Sequence, residues 1–241
     1  MRLRIGAVMA VATAAVIALA GCTGGGDSGG SSGSGSSESG TDAATLIQDS
    51  SAAMKDLTGA HVVFTSEGRV PNLKVTKLEA DISSQPTPTA TGTATIQVGQ
   101  RTQDAQLIYV DGHLYSDVAQ PGTWTDYGPG TSIYNVAVLF DQQNGLANAL
   151  ANLKDPKVEG TEEIDGVKTT KISGMASTND IAQLAGARKA PEKEQTVPMT
   201  VWIADEAPHY LVRAQITPVP DTDVTMTLSE FGKTVTAQKP I

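Results

Sequence analysis

VDGHLY, residues 110–115, decides the fold, because two apolar-rich runs meet there at Asp111-Gly112. An Asp-Gly pair between such runs is a strong hairpin signal, since a tight two-residue turn needs positive φ at both positions. Asp104–Val110 is then one strand and the next begins at His113. A second pair, Asp165-Gly166, divides Val158–Gly174 in the same way and predicts a second hairpin. Strands joined by such short links run antiparallel.

Outward from the first hairpin, Thr91–Val98 reads as a strand with Ala94, Ile96 and Val98 on one face. A turn at Gly99–Arg101 joins it to Asp104–Val110. Val75–Ile82 alternates Thr76, Leu78, Ala80 and Ile82 against charged positions, and His61–Thr65 is a further strand. Ahead of these, Thr41 or Asp42 is placed to cap a helix carrying Ala43, Leu46, Ile47, Met54 and Leu57 at helical spacing, ended by Gly59.

Downstream, a turn-rich patch (Pro121-Gly122, Gly128-Pro129-Gly130) precedes a helical region from about Ser132 with Val136, Leu139 and Phe140. Asn144-Gly145 breaks it, and a second helix carries Leu146, Ala149, Leu150 and Leu153 until Asp155-Pro156. Ser177 or Thr178 caps a short helix through Ile181, Leu184 and Ala185, and 186–196 is a charged loop. Val197–Ala204, Leu211–Thr217, Val224–Phe231 and Thr234–Ala237 complete the strands. The order predicts one α+β domain over 41–241, an amphipathic antiparallel sheet with helices on one face.

The other end of the chain speaks to location. MRLRIGAVMAVATAAVIALAGC, residues 1–22, begins with Arg2 and Arg4 and continues in an apolar run from Ile5 to Ala20. A positive start, a short apolar run and small residues before a cut site describe a signal peptide over 1–21. The run is short against the roughly 20 residues a membrane span needs. Leu19-Ala20-Gly21-Cys22 then places a thiol, the strongest nucleophile available, at the cut. Cys22 is the only cysteine, so it has no intramolecular disulfide partner and its expected role is to carry lipid. Residues 23–40 are almost wholly Gly and Ser, a composition that spans about 23–25 Å as a flexible coil. Residues 22–40 are therefore read as lipidated cysteine plus tether, holding the domain outside the plasma membrane.

Net charge is −9, and loss of residues 1–21, with their two arginines and no acids, makes the remainder more acidic. That sign argues against nucleic acid and against electrostatic docking on anionic headgroups. Enzyme readings lack support. His61, His113 and His209 have no metal-ligand spacing, no Gly-x-Ser-x-Gly elbow or phosphate loop occurs, and Glu162, Glu163 and Asp165 read as a solvated turn. No catalytic residue, metal or cofactor is expected.

Several segments together resemble one family. The lipobox and Gly/Ser spacer, 110–115, GPGTSIY (128–134), GLAN (145–148), TVWI (200–203) and TLSEFG (227–232) are similar, in order and spacing, to the mycobacterial lipoproteins LppX/LprA/LprF/LprG, most of all to LprA-like members. The resemblance implies a half-barrel of antiparallel strands over helices, enclosing an apolar cavity for acyl chains. It also implies diacylglycerol on Cys22, an acylated lipid or glycolipid as cargo moved from the plasma membrane, and a monomer. An exporter and Toll-like receptor 2 are the further partners it suggests. Alternation offers wall positions for such a cavity: Ala94, Ile96, Val98, Leu107, Tyr109, Val201, Ile203, Val212, Ala214, Val224, Met226 and Leu228. The same pattern suits a filled core, in which case the domain would be an interaction module in envelope assembly.

Overall fold

The architecture is one antiparallel sheet of eleven strands, in the order β6-β5-β4-β3-β2-β1-β11-β10-β9-β8-β7, curved and open between its edges β6 and β7. The structure is a computed structural model that describes residues 38–70, 73–184 and 193–241, all within one compact unit, Gly35–Ile241. The expected signal peptide, Cys22 and most of the expected tether lie outside the described residues, as does most of the charged segment 186–196.

β4 (Arg101–Val110) and β5 (His113–Ser116) form the first expected hairpin, and β7 (Lys154–Ile164) with β8 (Val167–Ser177) the second. Both turns have the predicted geometry: φ is positive at Asp111, Gly112, Asp165 and Gly166. β1 (Gly59–Glu67), β2 (Val75–Ser83) and β3 (Thr89–Val98) form a meander with β4. β9 (Thr196–Ala204), β10 (Leu211–Ile216) and β11 (Asp223–Ser229) form another, which β11 closes onto β1. β6 (Thr125–Pro129) is a short edge strand inside the patch expected to be turns only.

Helices cover one face. α1 (Glu38–Lys55) packs on β7, β9 and α2 (Leu146–Ala151), burying Ala43, Ile47 and Met54. α1 begins at Glu38, before Thr41 and Asp42, so neither is its cap. The region from Ser132 is not one helix but two 3₁₀ turns, Gly130–Ser132 and Val136–Phe140. Asn135 separates them and its side chain accepts the Ala137 amide, a local bond that competes with helix continuation. Ser177 caps α3 (Thr178–Ile181) as expected by accepting the Asn179 amide, but α3 stops at Ile181.

Three other expectations change. α2 ends at Ala151, so Leu153 is buried in the link to β7 instead of on the helix. Asp155-Pro156 lies within β7, where an edge strand tolerates a proline because one side of its ladder is unpaired. Residues 234–237 form no strand. They run as an irregular strap across the ends of β1, β2 and β4, with the Val235 amide on Ser83 Oγ at 3.2 Å and Lys239 paired to Asp111 at 3.3 Å.

Candidate functional site

Beneath α1 and α2 the sheet is packed solid. Ile172, Met199, Val201, Ile203, Leu211 and Leu228 share one buried cluster with Ile47, Met54 and Leu150. The other half, β1 to β5, is roofed among the described residues by residues 130–140 and the turn after α3, and there the inner face is hollow. A cavity of about 400 Å³ lies between sheet and roof. That volume falls within the range of roughly 300–1,000 Å³ that ligand cavities occupy.

The floor is a set of cross-strand rows. Phe64, Leu78 and Ala94 make one row, with Met226 beside Phe64. Val62, Ala80, Gly92 and Leu107 make the next, and Ile82, Ala90, Tyr109 and Leu114 the third. Val75 and Ile96 pair beyond the first row. The small residues Ala80, Ala90, Gly92 and Ala94 keep the floor low. Gly92 cannot carry a side chain: a Cβ there would meet the Glu79 carbonyl and come within 2.6 Å of Ala80 Cβ.

The roof consists of Ile133, Tyr134, Val136, Leu139 and Leu184. Gly130 sets its height, since a side chain at that position would run into the Tyr109 ring. The Tyr134 hydroxyl donates to the Leu184 carbonyl at 3.1 Å, and burial pushes its phenol above its ordinary pKa, so it stays neutral. Among the described residues, no Asp, Glu, Lys, Arg or His lines the cavity. An unpaired charge there would be costly, and an alkyl chain needs none.

Five of the twelve expected wall positions reach this space: Ala94, Ile96, Leu107, Tyr109 and Met226. The other seven do not. Val201, Ile203, Ala214 and Leu228 face the same way but are covered by the helices and the core beneath them. Val98 is 53% exposed at the end of β3, and Val224 is half-buried at the start of β11, both outside the lining. Val212 is on the opposite face, because a bulge between Leu211 and Arg213 shifts the alternation. It packs there with Ile164, Trp202 and Ala204.

Sequence reasoning missed Val62, Phe64, Ala90, Leu114 and the whole roof. The run Leu78, Ala80, Ile82 was visible as a strand face, and the density of Ala and Gly in β2 and β3 was the available signal for a hollow.

The remaining polar groups serve the scaffold. His61 Nδ1 lies 2.7 Å from Asp81, His113 Nδ1 2.9 Å from Asp126, and His209 Nδ1 3.0 Å from the Ala204 carbonyl, in three separate places. Glu162, expected in a solvated turn, accepts the Trp202 indole N–H at 2.8 Å, while Lys171 and Arg213 lie against the ring.

Comparison with known proteins agrees with this geometry. Residues 42–237 match the LppX_LprAFG lipoprotein family. The chain is 54% identical to the putative lipoprotein LprA of Mycobacterium bovis over 97% of both chains. It is 38% identical to the lipoarabinomannan carrier protein LprG of Mycobacterium tuberculosis, over 97% of this chain and 94% of that one. The crystal structure of LprF from Mycobacterium bovis superposes with a TM-score of 0.74 at 27% identity, covering 83% of this chain and 97% of that one. LppX of Mycobacterium tuberculosis shares the fold, with a TM-score of 0.62 at 24% identity over 82% and 99% of the two chains. Motif order, sheet topology and near-full-length identity converge: the chain belongs to the LppX_LprAFG family of lipoproteins.

Proposed function

We propose that this chain is an exported, lipid-anchored carrier that holds acyl chains of a lipid or glycolipid in its hollow half and helps move them from the plasma membrane. The observation that carries the reading is the cavity of about 400 Å³ whose described lining residues include no ionisable group besides two tyrosine phenols. An alkyl chain is stabilised there by about 25 cal/mol per Å² removed from water, while a filled-core module has no use for the void. The name of the relative LprG, a lipoarabinomannan carrier, supports an acylated glycolipid as the cargo class. Cys22 would receive a diacylglycerol and further acyl chains, enough together for stable anchoring where one chain is marginal.

Native mass spectrometry with lipid extraction tests this on the chain from residue 22, carrying Cys22→Ser and expressed in a mycobacterial host. Acylated lipid at one copy per chain is expected in the wild type and absent in Ala94→Trp, which fills the floor. Val98→Trp, four residues along the same strand but outside the cavity, keeps its lipid. A clean apo mass, with no uptake from membranes, overturns the carrier reading in favour of an interaction module.

A further inference from the structure

Three successive inward positions on β3 are small, Ala90, Gly92 and Ala94, and Ala80 on β2 stands beside Gly92. Larger residues flank this run on both sides, Leu78 and Ile82 on β2 and Leu107 and Tyr109 on β4. The floor of the cavity is therefore a trough laid along one strand. Its rails stand on strands about 10 Å apart, and their side chains occupy part of that width. From Ala90 to Ile96 the trough runs about 20 Å.

One end of the trough is shut. Ile82 is 2% exposed there and Tyr109 4%, and the strap of residues 233–239 crosses the strand ends. At the other end Leu73, Val75 and Ile96 are half-buried, so a chain entering there runs inward to Ala90. Volume sets how much of it fits. A dry apolar cavity of about 150 Å³ takes one benzene, about 25 Å³ per carbon. At that density a cavity of about 400 Å³ takes about 16 carbons, one fatty-acyl chain, which in extended form spans the trough. Among the described residues no charged group lines the space, so a polar headgroup stays at the open end.

We propose that the cargo is a lipid with a single acyl chain of about 16 carbons, selected by the volume of this trough. The proposal rests on the carrier reading and goes past it by fixing the number and length of the chains. A second chain on the same lipid finds no room beneath the roof. On leaving a bilayer it would lie in water and forfeit about as much transfer energy as the first chain gains. Length is limited at the shut end, where Ala90 lies between Ile82 and Tyr109 on the neighbouring strands.

A chain-length series tests it, using the chain from residue 22 with Cys22→Ser, stripped of lipid. Affinity for monoacylglycerols of about 10 to about 22 carbons is expected to rise about fourfold per methylene and to level off near about 16. Native mass spectrometry should show one copy per chain at saturation, and a diacylglycerol should bind no more tightly than the monoacylglycerol of the same chain length. Leu107→Ala removes three lining carbons and should move the limit out by about three; Ala90→Leu adds three and should move it in by as much. Val98→Ala, outside the lining, should leave it in place. An affinity still climbing at the longest chain, two copies at saturation, tighter binding of the diacylglycerol, or a limit that neither lining variant moves overturns the single-chain proposal and leaves the carrier reading standing. No binding at any length sinks both.

Discussion

One sheet supports two unlike interiors. Over β7 to β10 the inner face presents Ile172, Met199, Val201, Ile203 and Leu211, and α1 and α2 press Ile47, Met54 and Leu150 into it. Over β1 to β5 the inner face is lined by alanine and glycine at four positions, and the covering segment is two 3₁₀ turns too short to present a continuous apolar stripe. The alternation of strand residues is the same in both halves. What differs is the size of the floor residues and the element laid over them, so a container arises from ordinary sheet chemistry by withholding a helix.

That contrast is broken most severely by truncation. Leu150 is fully buried in the filled half, and Leu150→Ala should cost about 2–5 kcal/mol, the transfer term plus a new void in a close-packed site. Leu107 already borders empty space, so Leu107→Ala should lose only transfer energy and cost about 1 kcal/mol. Urea unfolding measures both. Equal losses would mean that the hollow half collapses around its lining and is not a standing cavity.

Enlargement sharpens the contrast from the other side. Ala149 is 1% exposed on α2, and Ala149→Trp should cost at least about 1–3 kcal/mol by overpacking. Ala94→Trp projects into the cavity and should leave the urea midpoint within about 0.5 kcal/mol of wild type while excluding lipid. A large stability loss at Ala94 would show that the floor has no room above it.

The sequence made one half of this legible and not the other. Both Asp-Gly hairpins, the antiparallel run of neighbouring strands and the helices that begin and end the filled half follow from turn chemistry and apolar spacing, which are local, whereas the pairing of β11 with β1 is not. Val201 and Ile203 were readable as inward-facing but not as covered, because coverage depends on where α1 docks and not on their own neighbours. Val212 was misplaced because a bulge leaves no mark in an alternating pattern. The roof escaped for a similar reason: Ile133 to Leu139 reads as a helix until Asn135 is seen to turn its side chain back onto the chain. The cavity itself is a difference of volumes between distant segments, which no single stretch encodes.

The smallest expected effect probes how the hollow half is held at its closed end. Asp81 on β2 accepts from His61 at 2.7 Å and from Lys233, in the strap, at 2.9 Å. Burial alone would raise its pKa, but the bonds to His61 and Lys233 and their charges outweigh that and hold the carboxyl below its ordinary value of 3.8. A carboxyl depressed by folding contributes stability that is fully present above the unfolded value and is lost as pH falls through the folded one. Asp81→Asn should therefore lower the urea midpoint near neutrality by the equivalent of less than about 1 kcal/mol, since the group is partly exposed and screened. The gap between wild type and variant should narrow as pH drops below about 4 and shrink with added salt. A gap that persists unchanged in acid would assign the loss to shape and not to charge. The strap would then be held by Val235 and the Ser83 bond, and the closed end of the cavity would be insensitive to pH.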